Sequence, residues 1–330
     1  MNRKFDEQIN DFLKISGWEN AEYQFIKSDA SSRRYIRLFK DGKTKMLMDA
    51  RNLSKKVTLN FYLIGEILRD HGLSVPQIYT KELENSLILM EDFGNASFSK
   101  LMRSQPQNEE HLYQLAIDML FHLRSLPPPQ NFSVTSVKSM TKMIEPFFTD
   151  YLSNKAQKNM KSLILERIYR LFEEFDGSFT TVSLRDCHAD NLIFLNDRQG
   201  FSSVGLLDFQ DAFLCHPAYD LVSLLQDARR YVSKNLEKRM IRYYLSRTKD
   251  NQAKFIKAYK CLGLQRNLRI LGVFAGLARI QRKSFYATLI PRVITYIQRT
   301  LRDPIFDPLY DDLMVCLAWP ENETKGKRVP

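Results

Sequence analysis

The sequence lacks the patterns that mark several common classes of protein. Its four cysteines, at positions 187, 215, 261 and 316, show no C-x-x-C spacing, which indicates neither a zinc site nor a disulfide framework. No apolar run approaches the ~18 residues of a membrane-spanning helix. The N-terminus is too polar for a secretory signal peptide, and no internal repeat or low-complexity tract occurs. We therefore expect a globular, cytoplasmic protein with reduced thiols.

The charge of the chain is basic, with a net value of +11 over 330 residues. A basic balance is compatible with binding to nucleic acid or to an anionic membrane. Lysine and arginine are nevertheless spread along the whole chain, and the densest cluster, residues 325–328, lies at the C-terminus. We therefore expect small, phosphate-bearing ligands to account for part of the charge, and neither nucleic acid nor membrane as a partner.

One stretch carries chemistry. Asp186 and Asn191 are five residues apart, and an apolar strand at 192–195 follows. After a turn, a second strand at 204–207 ends on Asp208. The layout resembles the loops of kinases in which an Asp takes up the substrate hydroxyl, while an Asn and a second Asp hold Mg²⁺ against nucleotide phosphates. Alone, Asp-x-x-x-x-Asn is short and common as a turn cap; the two apolar strands and the Asp at their exit make it specific.

Three motifs in order resemble the aminoglycoside phosphotransferase and choline kinase superfamily. They are Asp186-x-His188-x-x-Asn191-Leu192, Leu207–Ala212 and Pro217–Leu221. The resemblance implies a two-lobed, protein-kinase-like α+β fold. Its N-lobe, a small antiparallel sheet with helices, would span 1–92, and its mainly helical C-lobe 93–330. It also implies the following roles: Asp186 as the catalytic Asp, Asn191 and Asp208 as Mg²⁺ ligands, and Asp220 as a buried Asp that ties the catalytic loop to the next helix.

Four segments are closer to one bacterial branch of that superfamily. They are Asp29–Leu38, Leu47–Ala50, Leu89–Gly94 and Leu207–Ala212. This branch resembles the anomeric kinases of N-acetylmuramate and N-acetylglucosamine that serve cell-wall recycling, and the resemblance covers nearly the whole chain. It implies ATP- and Mg²⁺-dependent phosphorylation of a sugar hydroxyl.

Two positions depart from the family pattern. Met48 stands where the third N-lobe strand usually offers a Lys or Arg to the phosphates, and Leu184 replaces a His that mostly braces the catalytic loop. We expect Arg33 or Arg34 to supply the missing cation, with Arg34 preferred for its match to the branch motif.

The remaining expected contacts follow from the resemblance. For the nucleotide they involve Ser31 and Ser32, beside these arginines, and a hinge of Met90, Glu91 and Phe93 that acts through its backbone. The substrate contacts would come from His188, Gln210 and Asp211, although His188 is better explained as a residue that holds the loop.

Hydrophobic periodicity predicts the main elements. The first helix would bury Phe5, Ile9, Phe12 and Leu13. A helix over 55–71 would turn Leu59, Tyr62, Leu63, Ile67 and Leu68 inward. Residues 130–142 are predicted to be irregular. Strands are predicted at 23–26, 35–39, 45–48, 75–79 and 86–90, and later helices at 111–126, 143–153, 156–174, 217–231, 235–246, 250–262, 264–282 and 286–302.

Three alternatives remain open at this point. An aminoglycoside or amino alcohol as acceptor would need converging carboxylates, and the late acids Asp303, Asp307, Asp311 and Asp312 are more typical of helix and turn caps. Leu184 and Met48 favour a nucleotide-binding, pseudokinase-like regulator, although all three predicted catalytic and metal residues are present. Charge alone favours a nucleic-acid binder. The sequence fixes neither the acceptor, nor ATP over GTP, nor the oligomeric state.

Overall fold

The computed structural model describes residues 5–26, 33–129, 132, 134–152 and 159–318. The chain divides into two compact units. The sheet unit comprises residues 1–119 and 190–212, and the helical unit comprises residues 120–189 and 213–330. The sequence predicted an N-lobe of 1–92 and a C-lobe of 93–330. That boundary stays a prediction.

The sheet unit contains a five-stranded antiparallel sheet with strand order β1-β2-β3-β5-β4. Asp41 and Gly42 join β2 to β3, and both have positive φ, 50° and 71°. Such a turn matches the right-handed twist of the strands, and Asp-Gly is a preferred sequence for it, so the predicted hairpin is confirmed. The strands are β1 Glu22–Ile26, β2 Arg34–Lys40, β3 Lys43–Asp49, β4 Ile78–Glu82 and β5 Leu87–Glu91.

Helix α1, Glu7–Ile15, packs against residues of this sheet. Asp6 caps the helix by accepting a hydrogen bond from the backbone N–H of Ile9 at 3.1 Å. The predicted apolar face of α1 is confirmed, because its residues share one core with the sheet. That core contains Ile9, Phe12, Leu13, Trp18, Ile36, Leu38, Leu47, Leu87 and Leu89, with Phe5 packed against it.

Helix α2, Lys55–Asp70, was predicted with nearly the right bounds, but its inward face is confirmed only in part, at the buried Leu68. Leu59 and Leu63 are exposed, whereas Phe61 and Ile64 are buried. The reason is a tertiary contact: the ring of Phe61 stacks on the ring of Phe209 with centroids 4.8 Å apart. Burial of this aromatic pair outweighs the aliphatic stripe that periodicity favoured. Strand β4 also starts later than predicted, after Pro76, which has no N–H for a ladder.

Two short strand pairs follow. β6, Thr181–Ser183, pairs with β9, Phe213–Cys215, in the helical unit. β7, Leu192–Phe194, pairs with β8, Val204–Leu206, in the sheet unit. The second pair was predicted; the first was not, because three-residue strands leave almost no periodic signal.

The remaining helices correct several predictions. Residues 137–142 form a helix rather than irregular chain, started by a capping box between Ser136 and Ser139. One continuous helix spans 252–279, where two helices were predicted at 250–262 and 264–282. No helix in the described residues is long and apolar enough to span a membrane. The helices are α3 Phe98–Ser104, α4 Glu109–Arg124, α5 Val137–Lys142, α6 Lys161–Glu173, α7 Ala218–Leu225, α8 Lys234–Leu245, α9 Gln252–Arg279, α10 Phe285–Leu301 and α11 Asp307–Cys316, with a π-helical turn at Phe147–Tyr151.

The long helix α9 contacts the chain at the start of that π-helical turn. A Cβ added to Gly272 would lie 2.1 Å from the carbonyl carbon of Pro146 and 2.3 Å from the nitrogen of Phe147. Both are backbone atoms, so no rotamer change relieves the overlap. Glycine is therefore required at this contact.

We expect Gly272→Ala to lower the free energy of unfolding by about 2–3 kcal/mol, because the added methyl group pushes two backbone segments apart. Gly276→Ala on the same helix is the matched control. Its added Cβ would meet only the end of the Asp150 carboxylate, at 3.0 Å, and alanine favours helix, so its change should stay within about 1 kcal/mol. Urea denaturation measures both, and equal stability of the two variants would contradict the required close contact.

Candidate active site

In the helical unit, the loop that carries Asp186 is held by Asp220, near the start of α7. The buried Asp220 carboxylate accepts three hydrogen bonds: from Ser183 Oγ at 2.9 Å, from the N–H of Leu184 at 2.6 Å and from the N–H of Arg185 at 3.1 Å. Burial raises the pKa of Asp220 to about 6, against the effect of these donors. The predicted role of Asp220 as the tie of this loop is confirmed.

These hydrogen bonds to Asp220 hold Arg185 in an unusual backbone conformation. Arg185 has a φ of 71°, a left-handed conformation that costs energy for a side chain of this size. Leu184, at the place of the expected His, is buried and apolar. The loop is therefore held through the Ser183 hydroxyl and two backbone N–H groups that donate to Asp220.

Asp186 comes directly after this strained residue. Its side chain is 39% exposed, and Arg266 Nη2 of α9 donates to its Oδ1 at 3.3 Å. Burial raises the pKa of Asp186, but the positive charges of Arg266 and Arg269 oppose it, and the net pKa lies below its ordinary value. Asp186 is therefore an ionised carboxylate at neutral pH, able to accept a hydrogen bond from a ligand.

His188 is buried two residues further on. Burial, together with the charge of Arg229, lowers the pKa of His188 to about 3, so the imidazole is neutral at physiological pH. Its backbone N–H donates to the carbonyl of Asp186 at 3.0 Å. These contacts favour the loop-holding role over the substrate contact that the sequence also allowed.

In the sheet unit, the β7–β8 pair brings Asn191 and Asp208 to the same end. The N–H of Leu207 donates to the carbonyl of Asn191 at 2.9 Å, which sets Asp208 one residue beyond this pair. Asp208 has a φ of 58°, and the following Phe209 is fully buried against Phe61 of α2. The aromatic stack thus anchors the turn that presents the Asp208 carboxylate.

Gln210 is buried between two acids of the same turn. Its Nε2 donates to Asp208 Oδ1 at 3.1 Å and to Asp211 Oδ2 at 2.9 Å. Its predicted contact with substrate stays a prediction; the observed hydrogen bonds orient the carboxylate of Asp208, while Asp211 is exposed.

Arg33, rather than Arg34, reaches the Asp208 carboxylate. The Arg33 side chain is 8% exposed and pairs through Nη2 with Asp208 Oδ1. Arg34 is 45% exposed and pairs with Asp49 of β3. Arg33 is thus the arginine beside Asp208, and the preference for Arg34 as the phosphate cation stays a prediction. The alternation of side chains along β2 could not show it, since Arg33 precedes the strand.

A cavity of about 520 Å³ lies beside Arg33 in the sheet unit. It is lined by Arg33 and by the first residues of α2, Ser54, Lys56 and Asn60, together with Asp211. A helix N-terminus and two cations offer a positive surface to a phosphate. The sequence analysis missed Lys56 and Asn60, because a helix start carries no signal that it borders a cavity.

The predicted hinge lies at the end of β5. Met90 is buried, and Glu91 forms an ion pair with Arg198 at 2.5 Å. The ring of Phe93 rests on Gly205, where an added Cβ would lie 2.8 Å from it. These side chains are engaged in the fold, and the predicted contact of the backbone here with a nucleotide stays a prediction. Ser31 and Ser32 lie outside the described residues.

Residues 22–255 match the sequence model of the phosphotransferase enzyme family. The chain belongs to this family. The matched range contains Asp186, Asp208, Asp211 and Asp220, and the prediction of a phosphotransferase is confirmed.

Similar proteins extend over most of the chain. The N-acetylmuramate/N-acetylglucosamine kinase of Caulobacter vibrioides is 29% identical over 335 residues, which cover 89% of this chain and 91% of that protein. The protein of the same name from Neisseria meningitidis is 26% identical over 334 residues, covering 94% of this chain and 98% of that protein.

Solved structures share the fold. A choline/ethanolamine kinase family protein from Mesorhizobium loti has a TM-score of 0.64 at 11% identity, covering 94% of this chain and 99% of its own. An aminoglycoside phosphotransferase with ADP bound has a TM-score of 0.60 at 15% identity, covering 92% and 99%. The predicted kinase-like α+β fold is confirmed.

The buried His188 makes stability depend on pH. Its pKa in the folded protein lies below that of a free imidazole, so its contribution is present above about pH 6.5 and is lost as the pH falls below that value. We expect His188→Gln to lose about 2 kcal/mol less stability than wild type between pH 7.5 and pH 5. Urea denaturation at the two pH values measures this.

The matched control is His111→Gln, which replaces an exposed histidine of α4. It should follow the wild-type pH dependence. If His188→Gln also followed it, the imidazole would not be neutral by burial.

Proposed function

We propose that this phosphotransferase uses ATP and Mg²⁺ to phosphorylate the anomeric hydroxyl of N-acetylmuramate and N-acetylglucosamine. The observation that carries the proposal is Asp186, an ionised and partly exposed carboxylate on a loop clamped by Asp220. The relatives bearing that name match about nine-tenths of the chain. The proposal places the reaction in the cytoplasm, within the recycling of cell-wall amino sugars.

Asp186 would act on the acceptor hydroxyl. It accepts a hydrogen bond from the hydroxyl, orients its oxygen and takes the proton as the new O–P bond forms. The bond from the γ-phosphorus to the bridging oxygen breaks, and ADP leaves. An anomeric hydroxyl is more acidic than an ordinary sugar alcohol, so a carboxylate with a low pKa suffices as its proton acceptor.

Asn191 and Asp208 suit Mg²⁺ by their chemistry. Both offer hard oxygen atoms, and Mg²⁺ in kinases takes few protein ligands and completes its shell with waters and substrate phosphates. Gln210 already orients Asp208 by donating to its Oδ1. When bound, the ion neutralises charge that develops on the phosphate oxygens.

The cation that replaces the usual strand lysine would be Arg33. Met48 is fully buried on β3, opposite Tyr35 and Ile88 in the sheet, and cannot serve. Arg33 lines the cavity at the start of α2 together with Lys56. We assign the phosphates to this positive surface, with Ser31 and Ser32 in the preceding loop. The adenine would meet the backbone of Met90, Glu91 and Phe93. These residues lie at the boundary in sequence that we propose for an N-lobe of 1–92 and a C-lobe of 93–330.

A polycationic acceptor such as an aminoglycoside fits less well. Two of the late acids that could attract it are engaged: Asp303 pairs with Lys260, and Asp312 pairs with Arg167. Arginines, not carboxylates, surround Asp186. A neutral or anionic acceptor is therefore favoured.

The product tests the proposal. Incubation with MgATP and either amino sugar should give an acid-labile sugar 1-phosphate, identified by phosphorus NMR and mild acid hydrolysis. Asp186→Asn should lower kcat by roughly 10²–10⁴, because proton acceptance is lost, while ATP binding survives. A 6-phosphate product, or turnover of the 1-deoxy sugar, would refute the anomeric assignment; turnover of only an aminoglycoside or amino alcohol would refute the acceptor.

Arg33 and Arg34 form a natural pair for testing the phosphate cation. We expect Arg33→Gln to raise the KM for MgATP about tenfold, as the loss of a charged hydrogen-bond donor predicts, and to weaken MgADP binding in calorimetry. Arg34→Gln removes the same charge one residue away and should stay within about twofold of wild type. A larger effect of Arg34→Gln than of Arg33→Gln would assign the phosphate contact to Arg34. If neither variant changed the KM for MgATP, another residue would supply the cation.

A further inference from the structure

Three arginines share the surroundings of Asp186 in the helical unit. Arg185 precedes it in the loop. Arg266 and Arg269 are three residues apart on α9, and therefore lie on the same face of that helix. All three act electrostatically on Asp186 and help to hold its pKa down. Arg266 also acts on the buried carboxylate of Asp220, so two carboxylates stand among three guanidinium groups, which leaves an excess of positive charge.

Arg266 is the most deeply buried of the three. Its side chain is 3% exposed, and its contact to Asp186 is long, at 3.3 Å, compared with the ~2.8 Å of a strong charge-assisted hydrogen bond. Its buried Nε has no hydrogen-bond partner within the part of the chain that the structure describes, and neither has the buried Nε of Arg185. A buried guanidinium is costly unless an anion satisfies it.

Other arginines of the same unit show the ordinary arrangement. Arg124 Nη2 donates to Asp250 Oδ1 at 2.7 Å, and Arg299 Nη2 pairs with Glu237 Oε2, also at 2.7 Å. Arg269, by contrast, is only partly buried and has no ion pair or hydrogen bond to any described residue. The arginines around Asp186 are therefore arranged for an anion that the chain itself does not supply.

We infer that Arg266 and Arg269, with Arg185, form an oxyanion subsite beside Asp186 that binds the carboxylate of an acidic acceptor sugar. The inference rests on the proposed function and deepens it. The residues assigned to metal and phosphate, Asn191, Asp208 and Arg33, belong to the sheet unit, whereas the subsite shares its unit with the residue that handles the acceptor. N-acetylmuramate carries a carboxylate and N-acetylglucosamine does not, so the subsite distinguishes the two.

The test uses Arg269→Gln, because this change leaves the Arg266–Asp186 pair in place. Lys254→Gln is the matched control: it removes one positive charge from an exposed position of the same helix. The ligands are N-acetylmuramate, its methyl ester, N-acetylglucosamine and MgATP. Binding is measured by calorimetry and turnover by ADP release, for wild type and both variants.

We expect Arg269→Gln to raise the Kd for N-acetylmuramate about 10-fold to 100-fold, as loss of a hydrogen bond between charged groups predicts. The Kd for the methyl ester and for N-acetylglucosamine should stay within about twofold, because neither carries the anion. Lys254→Gln should resemble wild type with every ligand.

Other outcomes overturn the subsite. Weaker binding of MgATP alone would assign the arginines to the transferred phosphoryl group, and an equal loss for all ligands would make Arg269 structural. Wild type that binds N-acetylmuramate no better than its methyl ester would also refute the inference. Turnover of N-acetylglucosamine with no carboxylate effect would leave the proposed function standing without the subsite. Carboxylate-dependent binding without turnover of either sugar would support the subsite and refute the proposed function.

Discussion

The carboxylate of Asp220 is the interaction on which the candidate active site of the helical unit depends. It gathers a hydroxyl and two successive backbone N–H groups, from residues 183, 184 and 185. Hydrogen bonds to a charged acceptor contribute about 1.5–3 kcal/mol each, which offsets the left-handed backbone of Arg185 and part of the cost of burying the carboxylate. Without this acceptor, nothing in the chain's own propensities would hold residue 185 at positive φ or direct the next residue, Asp186, as observed.

The sheet unit solves the corresponding problem by packing. Asp208 also has positive φ, but its turn is anchored by an apolar residue, Phe209, buried on Phe61. Gly65 lies under the same ring, at a distance where an added Cβ would be 3.3 Å from it. The carboxylate is then oriented by Gln210. Aromatic packing fixes the backbone here, and hydrogen bonds fix only the side chain.

The sequence predicted the features that local chemistry determines. The Asp-Gly pair identified the turn after β2, and Asp220 was assigned through a motif. The two apolar strands were predicted with Asn191 before the first and Asp208 after the second, while the metal-binding roles of these two residues stay predictions. Prediction from the sequence failed where contact with a residue distant in the chain determines which side chains are buried. The buried face of α2 depends on Phe209, about 150 residues further along the chain.

The sequence also contained no indication of positions at which two parts of the chain come into close contact. Gly263 and Gly272 both lie within one continuous helix, and the sequence offered no way to know that Gly272 meets the backbone of Pro146. The choice between Arg33 and Arg34 is similar, because neighbouring residues differ only in which partner the fold sets within reach. The sequence therefore predicted which residue types the site would need. Packing determines which of two similar residues, such as Arg33 and Arg34, lies beside Asp208.

The basic charge of the chain acquires a local meaning from these contacts. Each of the two acids predicted for chemistry has a buried arginine beside it: Arg33 pairs with Asp208, and Arg266 reaches Asp186. A buried cation favours the ionised form of a neighbouring carboxylate. Since buried arginines are withdrawn from solvent, they contribute to the net charge without forming the exposed basic surface that a nucleic acid needs. Each of these two arginines is balanced by the carboxylate beside it, so the excess charge of +11 comes from other residues and does not by itself indicate a nucleic-acid partner.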